Sequence, residues 1–206
     1  MLTPNVRWSS LRSQFHAMAT DAAKQDAILQ FWFGAEYPAK VKPNYDLWFG
    51  GSPETDALIK GKFGADVSAA EAGQYASWVD AGPHSCLALV LLLDQFSLNV
   101  YRDEARGYEC SKLMVPVSYT AVGRGYVEKL PDDAKMFMLL PIEHSERLDD
   151  QVASVRLHKE CGLDPEYAIE HYDVVAKYGR FPGRNKCYGR ETTDAEKKYF
   201  EDVGVF

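Results

Sequence analysis

One segment of the chain is apolar on nearly every side when it is drawn as a helix, and it restricts the fold more than any other feature. It covers residues 84–101 and includes the run CLALVLLL, which begins at Cys86. A helix that is hydrophobic all round has to be buried. The run is much shorter than the ~18 apolar residues of a membrane span. The sequence therefore predicts a central buried helix that the rest of the chain covers.

The stretches on both sides of this segment carry signals for the starts and ends of helices. Ser52, Pro53 and Glu54 suit an N-cap, a first helical position and a first turn. Pro116 and Pro141 are expected to kink or split the helices that contain them. No stretch has the clear two-residue alternation of a strand. The predicted fold class is all-α, built from antiparallel helix pairs, with helices at residues 21–33, 52–72, 84–101, 105–122, from 131, 145–161, 164–178 and after 193.

Composition limits the domain count, the partners and the compartment. The chain has 206 residues, of which 46% are hydrophobic, and this is enough for one core, so we expect one helical domain over residues 21–206. A net charge of -7 argues against nucleic acid and membranes as partners. The oligomeric state cannot be inferred from these data. Four scattered cysteines without zinc spacing predict reduced thiols in the cytoplasm, no metal and no cofactor: Cys86, Cys110, Cys161 and Cys187.

The first twenty residues differ from the rest because they contain basic and hydroxyl side chains and no acid. We treat residues 1–20 as a flexible or targeting segment. Their composition is similar to that of an organelle transit peptide, which makes a mitochondrion or plastid the alternative to the cytoplasm. A frayed tail, or a start at Met18, is the other interpretation.

Three polar residues follow the apolar run on one side of the predicted central helix. Gln95, Asn99 and Arg102 are spaced i, i+4 and i+7, so they share a face. Polar groups next to a buried helix are usually paired or functional. The other interpretation is that this face is simply exposed to solvent.

A second polar group follows Pro141. Glu143 and His144 can together perform acid–base chemistry, although neighbours in a helix point about 100° apart. Ser145 has the residue type of an N-cap for the next helix. If it is only a cap with charged neighbours, the group has no chemical role.

His171 shares its predicted helix face with Tyr167, Val174, Val175 and Tyr178, so its ring should point into an apolar interior. A histidine in such a place is either a catalytic or binding group or a core residue whose hydrogen bonds are satisfied.

A basic loop follows this helix and includes Arg180, Arg184 and Asn185. Arginine clusters bind carboxylates or phosphates through paired donors. The partner is either a ligand or an internal carboxylate, for which Asp94 and Glu143 are the candidates.

These segments together resemble a known family. The stretches LLDQFSLNVYR from Leu92, LPIEHSE from Leu140 with Gln151, HYDVVAKYGRFPGRN from His171 and GRETT from Gly189 are similar to the signature stretches of family 924 of the domains of unknown function. The resemblance covers roughly residues 25–200. It implies an all-helical, tetratricopeptide-like right-handed array of helices, and it implies no activity.

Two positions depart from the family pattern. Ser97 and Leu98 stand where relatives usually have Pro-Arg, and Gly183 stands where they have His. If those Arg and His residues perform chemistry in relatives, this chain lacks it.

The favoured hypothesis is a polar cleft that binds a small anionic molecule or peptide, and the sequence leaves open whether the protein is an enzyme. Its alternatives are a tetratricopeptide-like interaction module with a purely structural polar cluster, and a metal-dependent hydrolase, which no HExxH spacing supports. The candidate catalytic residues are His144, His171 and Glu143. The candidate ligand-binding residues are Gln95, Asn99, Arg102, Ser145, Gln151, Arg180, Arg184 and Asn185.

Overall fold

The structure is a computed structural model that describes residues 8–203, with side chains described for residues 21–202. Within this range the regular secondary structure is helical and contains no β-strand, which confirms the all-α prediction. The α-helices are α1 (Trp8–Phe33), α2 (Tyr45–Phe49), α3 (Pro53–Glu71), α4 (Pro83–Val90), α5 (Ser97–Val100), α6 (Ala105–Gly123), α7 (Asp132–Glu143), α8 (Leu148–Glu160), α9 (Glu166–Tyr178) and α10 (Asp194–Val203).

The predicted central helix is confirmed, although it is not a regular α-helix along its length. A π-helical segment, Leu91–Phe96, joins α4 to α5 without a break. Every residue from Cys86 to Phe96 is buried. The segment is covered by α1, α3, α6 and α7, so its apolar character on all sides is explained by neighbours on all sides.

Aromatic side chains fill the space between the central helix and its neighbours. Trp32 of α1 packs between Phe96 and Phe137, with ring centroids at 5.2 and 5.5 Å. Such tilted and edge-on contacts are favourable arrangements for aromatic pairs. They fix α1 and α7 against the segment that carries the polar residues described below.

The structure corrects the predictions made for Ser145 and for Pro116. Ser145 is not an N-cap, because α8 begins three residues later; the Ser145 hydroxyl instead donates to Asp150 at 2.6 Å and accepts from the Arg147 amide. Pro116 does not split its helix, since α6 continues through it to Gly123.

The structure describes parts of both chain ends. Residues 8–20 of the predicted N-terminal segment belong to α1, and residues 1–7 lie outside the described residues. Near the other end, Val174, Val175 and Phe181 form a small apolar cluster with Tyr178 and Tyr199, separate from the main core. No helix among the described residues is long and apolar enough to cross a membrane.

Candidate functional site

Asp94, a carboxylate in the π-helical segment, is fully buried. Its Oδ1 accepts hydrogen bonds from the Ser111 hydroxyl and, at 2.9 Å, from His144 Nδ1, and its Oδ2 accepts one from Gln95 Nε2 at 2.6 Å. π-helical turns are frequent at functional sites. Asp94 thus connects the central helix to α6 and to the C-terminal end of α7.

These hydrogen bonds determine the charge of Asp94 and the tautomer of His144. Burial disfavours the carboxylate, but the charge of His144 and the hydrogen bonds from His144, Ser111 and Gln95 outweigh burial and lower the pKa of Asp94. The ionised carboxylate accepts the Nδ1 hydrogen of His144, which leaves Nε2 as the basic nitrogen of the neutral ring. Catalytic triads orient their histidine base in the same way.

Gly107 allows α6 to approach the central helix closely enough to form this site. A Cβ atom at Gly107 would lie 3.2 Å from the Ser97 carbonyl oxygen and 3.3 Å from the Leu98 Cα. The Ser97 hydroxyl also donates to the Gly107 carbonyl at 3.2 Å. Because the two backbones are this close, Ser111, one turn further along α6, reaches Asp94.

Arg184 comes from the basic loop and is 9% exposed. Its Nη1 donates to the His144 carbonyl at 2.9 Å, and its guanidinium carbon lies 4.7 Å from the ring centre of Tyr108 and 4.4 Å from that of Phe181. Among the described residues no carboxylate forms an ion pair with it. Burial therefore lowers the pKa of Arg184, and attraction to Glu146 opposes this only in part.

The other arginines predicted for the site have carboxylate partners within the fold. Arg180 forms two hydrogen bonds with Glu196, at 2.8 and 3.0 Å. Arg102 forms two with Asp56, at 2.8 and 2.6 Å, on the surface. Arg190 likewise pairs with Glu146, at 2.9 and 2.7 Å.

The internal counter-ions were therefore predicted wrongly. Asp94 and Glu143 were the candidates, but Glu196 and Glu146 hold the basic loop. The reason is that Asp94 is already enclosed by hydrogen-bond donors, and Glu143 lies between imidazole rings.

A cavity of about 170 Å³ lies where these elements meet. The rings of His144 and His171 face it with centroids 6.1 Å apart, and Arg184 forms another part of its wall. Burial lowers the pKa of His171 to about 3, and the charges of His144 and Arg184 act in the same direction, so this ring is neutral at physiological pH. The remaining lining residues are Leu98, Tyr108, Ser111 and Phe181.

Glu143 lies behind the cavity, with its carboxyl group between two histidines. Its Oε1 is 3.3 Å from His171 Nδ1, and its Oε2 is 3.5 Å from His158 Nε2. His158 Nδ1 donates to the Ser154 carbonyl at 2.9 Å, so its Nε2 is an acceptor unless the ring is protonated. Burial also raises the pKa of Glu143, an effect that His144 and His158 only partly offset. Glu143 Oε2 is therefore buried without a hydrogen-bond partner among the described residues.

The other predicted residues surround the cavity without lining it. Asn99 donates to the Gln95 carbonyl at 3.0 Å, and its own oxygen accepts from Arg102 at 3.2 Å. Gln151 donates to the carbonyls of Glu143 and Ser145, both at 2.6 Å, and so holds the turn between α7 and α8. Asn185 donates to Glu196 at 3.3 Å.

Several residues of the site were not among the predicted ones. Tyr108 and Ser111 lie one turn apart on α6, and Phe181 follows Arg180 in the basic loop. Nothing in their local sequence distinguishes them from ordinary core residues, since their roles arise from contacts between distant segments. The sequence also does not indicate that His158, near the end of a predicted helix, lies beside Glu143.

No group of three or more His, Cys, Asp or Glu side chains in the described part of the chain is arranged to hold a metal ion. The cluster around Asp94 and Glu143 is connected by hydrogen bonds and histidine–carboxylate contacts instead. Its chemistry is that of proton donors, proton acceptors and one buried cation.

Comparison with known proteins gives a family match and a structural match. The sequence pattern of DUF924, described as a bacterial protein of unknown function, matches residues 28–204. The solved structure of a protein of unknown function from Agrobacterium tumefaciens is similar, with 34% sequence identity and a TM-score of 0.77; the match covers 88% of this chain and 98% of that one. No curated protein matches the sequence.

Proposed function

Because the chain belongs to DUF924, a bacterial family of unknown function, its role has to be argued from the site, and we propose that the cavity binds a small anion whose counter-ion is Arg184. The observation that carries this proposal is a guanidinium that is 9% exposed and has no ion-pair partner among the described residues. Removing a charge from water costs several kcal/mol unless an opposite charge is supplied. A bound anion would supply that charge.

Arg184 also has hydrogen-bond donors available for such a ligand. A guanidinium carries five N–H groups, and the described residues accept only one hydrogen bond from it, at the His144 carbonyl. Tyr108 and Phe181 pack on it, and neither accepts a hydrogen bond from it. The cavity is the place where an anion can accept the remaining hydrogens.

We further propose that His144 is the acid–base group of this site. Asp94 fixes its tautomer and orientation through the 2.9 Å hydrogen bond to Nδ1, so the basic Nε2 is available for proton transfer if the ligand reacts. His171 is proposed to form a neutral wall, and Glu143 to position it. Arg102, which pairs with Asp56 at the surface, is left out of the proposed site. The remaining predicted ligand-binding residues are proposed to hold these groups in place: Gln95, Asn99, Ser145, Gln151, Arg180 and Asn185.

The proposal is tested by a thermal-shift screen of the purified protein against small carboxylates, phosphate, sulfate and divalent metals. A ligand at about 100 times its Kd adds about 2.7 kcal/mol to the free energy of unfolding. We expect a carboxylate or another anion to raise the melting temperature of the wild type and not that of Arg184→Met. Arg102→Met is the matched control, because Arg102 pairs with Asp56 at the surface and should keep the shift.

The opposite result would favour the interaction-module hypothesis. If no anion raises the melting temperature, and Arg184→Met unfolds while Arg102→Met does not, Arg184 is a structural residue. The polar cluster would then serve helix packing alone, and the function would lie on the outer surface.

We also propose that the helices form a tetratricopeptide-like right-handed array. In support, α6 packs on α7, α7 on α8 and α8 on α9, so neighbours in the chain are neighbours in space, as in helical repeat proteins. In a crystal structure, successive helix pairs should be related by a constant right-handed rotation. Pairs without a common rotation would reject the array.

The cytoplasm is the compartment we propose, with residues 1–20 as a flexible or targeting segment. All four cysteines are unpaired, and two of them are buried, as expected for a reducing environment. Cells are fractionated after they express either the full chain or a chain that lacks residues 1–20. The fraction in which each chain is found distinguishes the cytoplasm from an organelle.

A further inference from the structure

We propose that the ligand of the anion site is a small monocarboxylate with a short apolar body, and that the site discriminates against phosphate and dicarboxylates. This inference rests on the anion site proposed above. Three independent features of the cavity lead to this class. They are the fixed plane of the Arg184 guanidinium, the charge around the cavity, and the volume and composition of its walls.

The orientation of Arg184 favours a planar anion. Its guanidinium carbon lies 4.7 Å from the ring centre of Tyr108 and 4.4 Å from that of Phe181. Two aromatic rings at this distance hold the guanidinium by cation–π contacts, and Nη1 is held by the His144 carbonyl. We infer that a ligand meets the remaining N–H groups, which lie in one plane. These groups match the two coplanar oxygens of a carboxylate.

The charge around the cavity leaves room for one negative charge. Arg184 is a permanent cation that lines the cavity and has no ion-pair partner among the described residues. His171 is neutral, and the carboxylate of Asp94 is engaged by the Nδ1 hydrogen of His144. Arg184 therefore offers one unpaired positive charge to the ligand. A phosphate dianion or a dicarboxylate would leave a buried negative charge without a partner, which is strongly unfavourable.

Glu143 does not supply the counter-ion of Arg184. Its carboxyl oxygens lie 3.3 Å from His171 Nδ1 and 3.5 Å from His158 Nε2, and it forms no ion pair with Arg184. Glu146, the other carboxylate near Arg184, is neutralised by its two hydrogen bonds from Arg190. The surroundings of the cavity therefore contribute no further cation for a second anionic group.

The size and walls of the cavity limit the rest of the ligand. A cavity of about 150 Å³ in another protein holds benzene, so the space of about 170 Å³ here suits a ligand of similar size. Leu98 and Phe181 provide apolar parts of the wall beside the polar ones. A carboxylate with a chain of a few carbons or one small ring fits both the volume and the polarity.

Isothermal titration calorimetry at pH 7 with matched probes tests this inference. The monocarboxylates are acetate, butyrate and benzoate; inorganic phosphate and succinate carry additional charge, and butyramide is the neutral analogue of butyrate. We expect butyrate or benzoate to bind at least tenfold more tightly than phosphate, succinate and butyramide. Equal or tighter binding of phosphate or succinate would overturn the monocarboxylate assignment while leaving the anion site intact. No binding of any anion would overturn both.

Arg184→Lys separates planar recognition from charge. It keeps the positive charge but cannot present two coplanar donors, so the affinity for butyrate should fall at least tenfold. Arg102→Lys, at a surface ion pair outside the cavity, should leave that affinity unchanged. Unchanged affinity in Arg184→Lys, with the variant melting near the wild-type temperature, would contradict the proposed planar contact.

Discussion

Glu143 is the residue whose protonation has the clearest effect on stability. Its carboxyl is 2% exposed, and burial raises its pKa above the ordinary value. The folded protein therefore binds this proton more tightly than the unfolded chain. As the pH rises above the unfolded pKa of about 4.3, the contribution of this group to stability falls until the folded pKa is passed.

Glu143→Gln should consequently raise the free energy of unfolding at pH 7 more than it does at pH 4. Glutamine can donate to His158 Nε2 without ionising, and the gain at pH 7 should be about 1–3 kcal/mol, which is the cost of an unsatisfied buried polar group. Urea unfolding across this pH range measures the gain. Glu36→Gln, at an exposed position after α1, is the control and should show no such trend. If the free energy of unfolding depended on pH in the same way in wild type and Glu143→Gln, the fold would hold the protonated and the ionised carboxyl of Glu143 equally well, against the prediction.

His171 should give the opposite dependence on pH. Its folded pKa of about 3 lies below the unfolded value of about 6.5, so the unfolded chain binds more protons between these values. Stability is then lost as the pH falls from about 6.5 towards 3. His171→Gln should flatten this part of the urea-unfolding profile. A variant that loses stability with acid as steeply as the wild type would contradict a buried neutral ring.

At the scale of elements, one glutamate both caps α10 and ties it to the basic loop. Glu196 accepts the Thr193 amide at 2.7 Å and binds Arg180 through both carboxylate oxygens. The hydrogen bonds from Arg180, and those from Thr193, lower the pKa of Glu196 to about 2 against the effect of burial. The stability from this contact is present above the unfolded pKa of about 4.3 and is lost as the pH falls towards 2.

Arg180→Met should therefore destabilise the protein by about 3 kcal/mol at pH 7, because it leaves Glu196 buried and unpaired. Arg102→Met, which breaks a more exposed pair, should cost about 0–1 kcal/mol. Denaturant unfolding compares the two. Equal losses would mean that the burial of Glu196 does not distinguish the contacts.

The elements were predictable from sequence to a larger extent than the site. Signals for helices lie in the local sequence pattern. This pattern was enough to predict the central helix, the all-α class and the helix stop at Gly179. Arg180 and Arg184, by contrast, look alike in sequence. Only the fold shows that Arg180 meets Glu196 while Arg184 meets two aromatic rings.

The site could not be assembled from sequence because its contacts are long-range. Asp94 is 50 residues from His144 and 17 from Ser111. Ser145 shows a different limit, since its hydroxyl donates to Asp150, five residues further on, instead of capping the helix. A short polar side chain has several local hydrogen-bond partners to choose from, and the sequence alone does not say which one it takes.

At the scale of the whole molecule, the two apolar clusters imply different local stabilities. The main cluster includes the fully buried central helix, whereas Val174, Val175 and Phe181 form a small one with Tyr178 and Tyr199. Segments with few buried apolar contacts open at lower free energy than the core.

Native-state hydrogen exchange should therefore show the amides of α10 exchanging through a local opening, while those of α4 exchange only through global unfolding. Arg180→Met should speed exchange in α10 more than in α4. If α10 and α4 exchange with the same free energy, the clusters unfold as one unit.

The π-helical segment Leu91–Phe96 has a consequence for how this chain tolerates insertions and deletions. A π turn accommodates one residue more than an α turn, so deleting a single codon there would restore a regular helix. The two halves of the central helix would keep their relative orientation, because the π turn absorbs its extra residue locally. The positions inside the segment would change direction, and Asp94, which must face His144 and Ser111, is one of them. A relative with a one-residue gap at this place would therefore keep the fold and lose the buried carboxylate.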